Sequence, residues 1–145
     1  MATTQQQTGI DSLGLVTVVV EDLDEAIEFY TETLGFERRS DDEFEFEGET
    51  GRWVTIGLPD QDVDVTFAVA DAPYYDEERR DLMQTKLGIE SGFIFYTADC
   101  EGTVEEFAAA GVEITQEPLE YEWGTEAMFA DPFGNEHSLF ELAEY

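Results

Sequence analysis

The stretch Val20-Glu21-Asp22-Leu23-Asp24-Glu25-Ala26-Ile27-Glu28-Phe29-Tyr30 decides the fold. It is entered from Leu15-Val16-Thr17-Val18-Val19, a β-branched run of the kind that forms a buried strand. Asp22 can accept from the first free backbone N–H groups of a helix, and Glu25 three positions on completes an Asp-x-x-Glu capping box. Leu23, Ala26, Ile27, Tyr30 and Leu34 recur at helical spacing, and Gly35 is a natural stop. The same pattern returns at Thr97-Ala98-Asp99-Cys100-Glu101-Gly102-Thr103-Val104-Glu105-Glu106-Phe107. There Asp99 answers Asp22, Val104 answers Ile27, and Phe107 answers Tyr30, with Gly111 as the stop. Strand-like pieces follow the first helix at 36–40, 44–47, 52–58 and 63–69, separated by Gly48, Gly51, Pro59 and Asp60. A second apolar strand at 93–97 opens the repeat, and pieces at 112–116, 125–130 and 136–142 follow its helix. Two βαβββ modules in tandem are the economical reading, and a period this long is a duplicated half-domain, not a solenoid.

The fold class expected is therefore α+β: tandem βαβββ modules that form a curved, half-barrel mixed sheet with helices on its outer face. Residues 1–12 read as a flexible tail, 13–70 as the first module, 71–90 as a connector and 91–145 as the second module, all within a single domain. The connector has a charged, helical centre from Tyr75 to Leu87, closed by Gly88.

Composition narrows the function. The chain carries 36 Asp and Glu against 6 Lys and Arg, a formal charge of −30. A surface this negative repels phosphates and anionic headgroups, so neither nucleic acid nor a membrane is an expected partner. The acids are spread over every segment, while a hydrophobic fraction of 42% and eleven Phe supply a core, which argues against a disordered acidic tail. Molar salt shortens the Debye length to about 3 Å and removes most of the self-repulsion, and the composition resembles that of cytosolic proteins of extreme halophiles. No basic or apolar stretch marks a secretory signal in Met1-Ala2-Thr3-Thr4-Gln5-Gln6-Gln7, and no apolar run reaches membrane-spanning length. The lone Cys100 has no partner for an internal disulfide, and a cytoplasmic location is expected.

Two motifs carry a family resemblance. The segment Glu21 to Phe36 resembles the first module of the vicinal oxygen chelate superfamily, and Phe129-Ala130-Asp131-Pro132-Phe133-Gly134-Asn135 is similar to its Asp-Pro-x-Gly-Asn turn before the last strand. That superfamily includes glyoxalase I, extradiol dioxygenases and bleomycin- or fosfomycin-resistance proteins. The resemblance runs from about Leu13 to Leu142. Within it, Arg52-Trp53-Val54-Thr55 and the stretch Gly111 to Pro118 resemble uncharacterised bacterial and archaeal members, including haloarchaeal ones.

Metal-using members of that superfamily take ligands from the first, fourth, fifth and eighth strands. Carried onto this sequence, the resemblance places those positions at Leu15, Thr66 (or Asp64, if the register slips by two), Phe93 and Ser138. These residues do not suit a divalent ion, which takes imidazole, carboxylate or thiolate. His137, the sole histidine, stands next to the eighth-strand position, and strand alternation turns it toward the helices. No metal ligands and no cofactor are expected, with a divergent carboxylate site from Asp64, Glu126 or Glu136 as the alternative.

The same alternation supplies an apolar and aromatic cavity lining: Leu15, Thr17, Trp53, Thr55 and Thr66 from the first module, and Phe93, Phe95, Ser138 and Phe140 from the second. Tyr121 and Trp123 stand in a loop that could act as a lid. Aromatics with a few hydroxyls are the chemistry of a small-molecule pocket. No Ser or Cys has a His nearby in sequence, so nucleophilic catalysis has no support and no catalytic residue is assigned. Three functions stay open: a metal-free protein binding a small apolar or aromatic molecule, a metal-dependent lyase or dioxygenase using the divergent site, and a regulatory partner with a filled cavity. The resemblance also implies a homodimer, which would cover unpaired strand edges.

Overall fold

The computed structural model describes residues 9–88 and 92–143. Most of the expected tail and the end of the connector at 89–90 lie outside the described residues. The chain order is β1 (Leu15–Val20), α1 (Leu23–Glu28), β2 (Glu37–Phe46), β3 (Glu49–Gly57), β4 (Asp64–Val69), α2 (Glu77–Lys86), β5 (Ile94–Tyr96), α3 (Cys100–Ala109), β6 (Glu113–Tyr121), β7 (Gly124–Ala130) and β8 (Glu136–Leu142). α1 continues as a π-helical turn over Phe29–Thr33. These elements are the two βαβββ modules of the expected α+β class. Each module folds into one mixed four-stranded sheet, in the orders β1-β4-β3-β2 and β5-β8-β7-β6, with its first and last strands parallel.

The capping chemistry acts where the sequence places it. Asp22 accepts from the Glu25 amide at 3.0 Å, Asp99 from the Gly102 amide at 3.0 Å, and Asp76 from the Arg79 amide at 2.7 Å. Gly35 closes the first helix at a φ of +88°. Val18 and Val20 of β1, Val54 and Ile56 of β3 and Val65 of β4 turn toward α1, where Ala26, Ile27 and Tyr30 complete a buried core. In the second module Val104, Ala127, Phe129 and Leu139 do the same under α3. Phe29, Leu34 and Phe95 pack against both clusters and join the modules.

Two features differ from the sequence reading. The pieces expected at 36–40 and 44–47 are one strand, β2, running through Asp41 and Asp42 with a bulge near Arg38. It is an edge strand, so acids on both faces reach water and leave no alternation to read; Asp41 also pairs with Arg52 at 2.8 Å. The β2–β3 turn places both Glu47 and Gly48 at positive φ, the mirror-image geometry that tight hairpins favour. In the second module the expected lid loop is another tight hairpin: Tyr121 ends β6 and pairs with Gly124, the first residue of β7.

Candidate functional site

The first module's sheet leaves one face uncovered by α1, and the connector folds back along it. Between them lies an open groove of about 680 Å³. Its floor is Leu15, Thr17 and Val19 of β1 with Thr66 and Ala68 of β4; Trp53 and Phe44 form one wall. The opposite wall comes from the connector: Tyr74, Tyr75 and one stripe of α2, namely Arg79, Met83 and Lys86. Phe44 and Tyr74 meet edge to face, with ring centroids 5.3 Å apart, and Gly51 allows this because a Cβ there would collide with both rings. Trp53 keeps 44% of its surface exposed.

Two hydroxyls at this sheet face are bonded within the protein. Thr66 donates to the Val54 carbonyl at 2.7 Å, and Thr55, on the same sheet face, is 2.6 Å from the Ser40 hydroxyl. No His, Cys, Asp or Glu among the described residues lines the groove. Thus it offers contact surface and hydroxyls, without a nucleophile–base pair.

The eleven residues expected to share one cavity are divided by the structure. Leu15, Thr17, Trp53 and Thr66 line the groove, and Thr55 lies buried on the same face. Ser138 and Phe140 lie on the second module's uncovered sheet face, where Ser138 donates to Glu126 at 2.9 Å. Tyr121 and Trp123 stack on each other at the hairpin tip, with centroids 4.9 Å apart, and do not line the groove. Phe93 and Phe95 are a correction: they turn into the interior, and Ile94 and Tyr96 take the uncovered face, paired with Ser138 and Phe140. In the run Phe93-Ile94-Phe95-Tyr96 both parities are apolar, so alternation cannot choose. Contacts choose instead. The Phe93 ring stacks on His137, and Phe95 packs edge to face on Phe36.

His137 belongs to a buried polar network that ties the two modules. Its Nδ1 accepts from the Phe93 amide at 2.9 Å, which leaves the proton on Nε2, 2.8 Å from the Tyr30 hydroxyl. Tyr30 in turn donates to Asp131 at 2.8 Å. Asp131 also accepts from the amides of Phe133 and Asn135 and from the Asn135 side chain, which reaches across to the Val19 carbonyl at 2.9 Å. Gly92 permits the Phe93 bond, because a Cβ there would strike the Glu136 carbonyl and His137 Nδ1. Burial lowers the His137 pKa to about 4 against the opposing pull of Asp131. Burial first, then the charge and hydrogen bond of Asp131, raise that of Tyr30 far above its ordinary value. The sequence reading missed Tyr30 and Asp131 as partners. One signal was present: the repeat sets Tyr30 against Phe107, so the first module carries a hydroxyl that its duplicate lacks.

The donor set does not fit a divalent metal. The positions carried over from the family, Leu15, Thr66 (or Asp64, which pairs with Leu15 across β1 and β4), Phe93 and Ser138, supply at most one carboxylate. Both nitrogens of His137 are engaged inside the protein. Asp64 is held by Arg39 at 2.7 Å, and no group of three or more His, Cys, Asp or Glu side chains among the described residues is placed to hold an ion.

Residues 12–139 match the Glyoxalase/Bleomycin resistance protein/Dioxygenase superfamily model, and the chain belongs to that family. It is 30% identical over 137 residues to the uncharacterized protein YetH of Bacillus subtilis (strain 168), covering 91% of this chain and 99% of that one. The crystal structure of UcmS2 is similar, with a TM-score of 0.77 and 35% identity over 90% of this chain and 98% of that one. So is that of TnmS3, an antibiotic binding protein from Streptomyces sp. CB03234, with a TM-score of 0.73 and 25% identity over 94% of this chain and all of the other. No helix among the described residues is long and apolar enough to cross a membrane.

Proposed function

We propose that the protein binds a small, planar, largely apolar molecule in the groove between the first module's sheet and the connector, without a metal. The observation that carries this reading is the groove itself. It has the size of a drug-binding cleft, walls of Trp53, Phe44 and Tyr74, and a floor hydroxyl, Thr66, already bonded to the Val54 carbonyl. The antibiotic-binding relative supports it. With Trp123→Phe leaving Trp53 as the sole tryptophan, titration with naphthalene, indole and anthracene derivatives is expected to give saturable quenching in the micromolar range. A flat response across the panel would remove the reading.

The reading includes a homodimer, in a cytoplasm whose salt suits a charge of −30. The second module supports it: its uncovered sheet face presents Ile94 at 67% and Tyr96 at 72% exposure, with Leu119, Tyr121 and Leu142 on the same face by register. Five exposed apolar side chains on one face of so charged a chain, broken only by the bonded Ser138–Glu126 pair, are a surface to be covered. A second copy is the occupant, since it brings the same strip and closes a two-fold pair. Sedimentation in 1 M KCl is expected to show a dimer, and Tyr96→Asp a monomer; a monomeric parent protein would reject the assignment.

A further inference from the structure

The groove's charge is opposite to that of the chain around it. Of 36 acids, none among the described residues lines it, whereas three of the six cations do: Arg52, Arg79 and Lys86. Arg52 is held by Asp24 and Asp41, each at 2.8 Å, so its charge is matched within the protein. Arg79 takes part in no ion pair among the described residues. Its guanidinium lies over the Tyr75 ring, 5.8 Å from the centroid, which steadies it at the groove wall and leaves its N–H fork for a ligand.

The arrangement follows from helical spacing. Tyr75, Arg79, Met83 and Lys86 fall on one stripe along α2 and its approach, and this stripe meets the groove. The acids of the same helix, Glu77, Glu78 and Asp81, fall on other faces. No side-chain ion pair joins Arg79 to Asp76 or Glu77; Asp76 accepts from the Arg79 backbone amide instead. Arg79, without a carboxylate partner among the described residues, thus stands opposite Trp53, over a floor of Leu15, Thr17 and Val19.

We infer that the ligand of this groove is an aromatic anion, a planar ring system bearing a carboxylate, with the ring against Trp53 and Phe44 and the carboxylate at Arg79. The inference rests on the binding reading above and adds the ligand's charge. Guanidinium and carboxylate match geometrically as a bidentate pair. The surrounding acids keep other cations near the surface, but no carboxylate among the described residues lines the groove to attract one there. The groove therefore selects for negative charge in a protein whose overall field opposes it.

Matched probes separate the two claims. Benzoate, 2-naphthoate and 9-anthracenecarboxylate, each beside its neutral primary amide, are titrated into the full chain by calorimetry in 1 M KCl, where the long-range field is screened. The best-fitting acid is expected to bind at least about fivefold tighter than its amide, the scale of one half-exposed charge pair. Arg79→Gln is expected to bring that ratio within about twofold, and Arg79→Lys to keep part of the preference, because the charge remains while the fork is lost. If acids and amides bind equally, or Arg79→Gln leaves the ratio unchanged, the anion inference is overturned and the binding reading stands. If none of the six compounds binds, the binding reading fails and this inference fails with it.

Discussion

Asp131→Ala is expected to unfold the protein at a temperature roughly 10–15 °C lower than the parent, a loss of about 4 kcal/mol. The carboxylate, 3% exposed, accepts four hydrogen bonds: from the Tyr30 hydroxyl, the Asn135 side chain, and the Phe133 and Asn135 amides. Removing it leaves four donors facing a methyl group in a site that water cannot fully refill, and each unsatisfied buried donor costs about 1–3 kcal/mol. Some relaxation is certain, which places the total nearer the low end of that sum. Asp131→Asn is expected to cost about half as much, since it keeps one oxygen acceptor in the same shape. Thermal or urea unfolding measures both. A loss below about 1 kcal/mol for the alanine variant would show that the network is not holding the modules together.

The consequence extends to the groove. Asn135 is positioned by Asp131 and holds the carbonyl of Val19, whose side chain forms part of the groove floor. The Asp-Pro-x-Gly-Asn turn therefore fixes a strand of the other module, and loosening it should weaken ligand binding along with stability. Tyr30 is held from the same turn by a bond that spans 101 residues of sequence. Nothing local in the sequence links the two. The turn is legible as a motif, but what it grips is set by how the modules dock.

That division between legible and hidden recurs through the molecule. The repeat, the helix caps and the parity of β3 and β4 follow from local chemistry: an Asp three residues before a helical amide, or a strand whose aliphatic residues alternate with hydroxyl-bearing or aromatic ones. Trp53 and Thr66 could be placed on one face because Val54, Ile56, Val65 and Phe67 take the other, and Thr17, the one polar residue of β1, sets the face of Leu15. β5 resists the same reasoning, because every residue from Phe93 to Tyr96 is apolar and the choice of face is made by His137 and Phe36. The contribution of α2 to the groove is hidden for another reason. A charged amphipathic segment reads as a solvated helix from sequence, and only the fold shows that its Arg79–Met83–Lys86 stripe meets the first sheet. The uniform abundance of acids also conceals that none among the described residues lines the groove, which is visible once the lining residues are known.

The single histidine offers the second large effect. His137 is 1% exposed and enclosed by Phe93, Phe95 and Phe129, with Tyr30 and Asp131 as the titratable groups beside it. Burial lowers its pKa to about 4 against the weaker opposing pull of Asp131, whereas in the unfolded chain it titrates near 6.5. Between those values the unfolded state binds the proton and the native state does not, so acidification favours unfolding across that window. The contribution is complete above about pH 6.5 and lost by about pH 4, and amounts to about 3 kcal/mol. Protonation at Nδ1 would also set two N–H groups against each other, because that nitrogen accepts from the Phe93 amide, and the link into β5 would break. Neutralising carboxylates over the lower part of the same range relieves the chain's self-repulsion and acts in the opposite direction, so a bulk stability curve mixes the two effects. Following the His137 Cε1–H signal by NMR isolates it, since no other imidazole contributes. The native resonance is expected to titrate with a midpoint near 4 and no inflection around 6.5. A midpoint near 6.5 would mean that the ring is open to water and that the His137–Tyr30–Asp131 chain does not form.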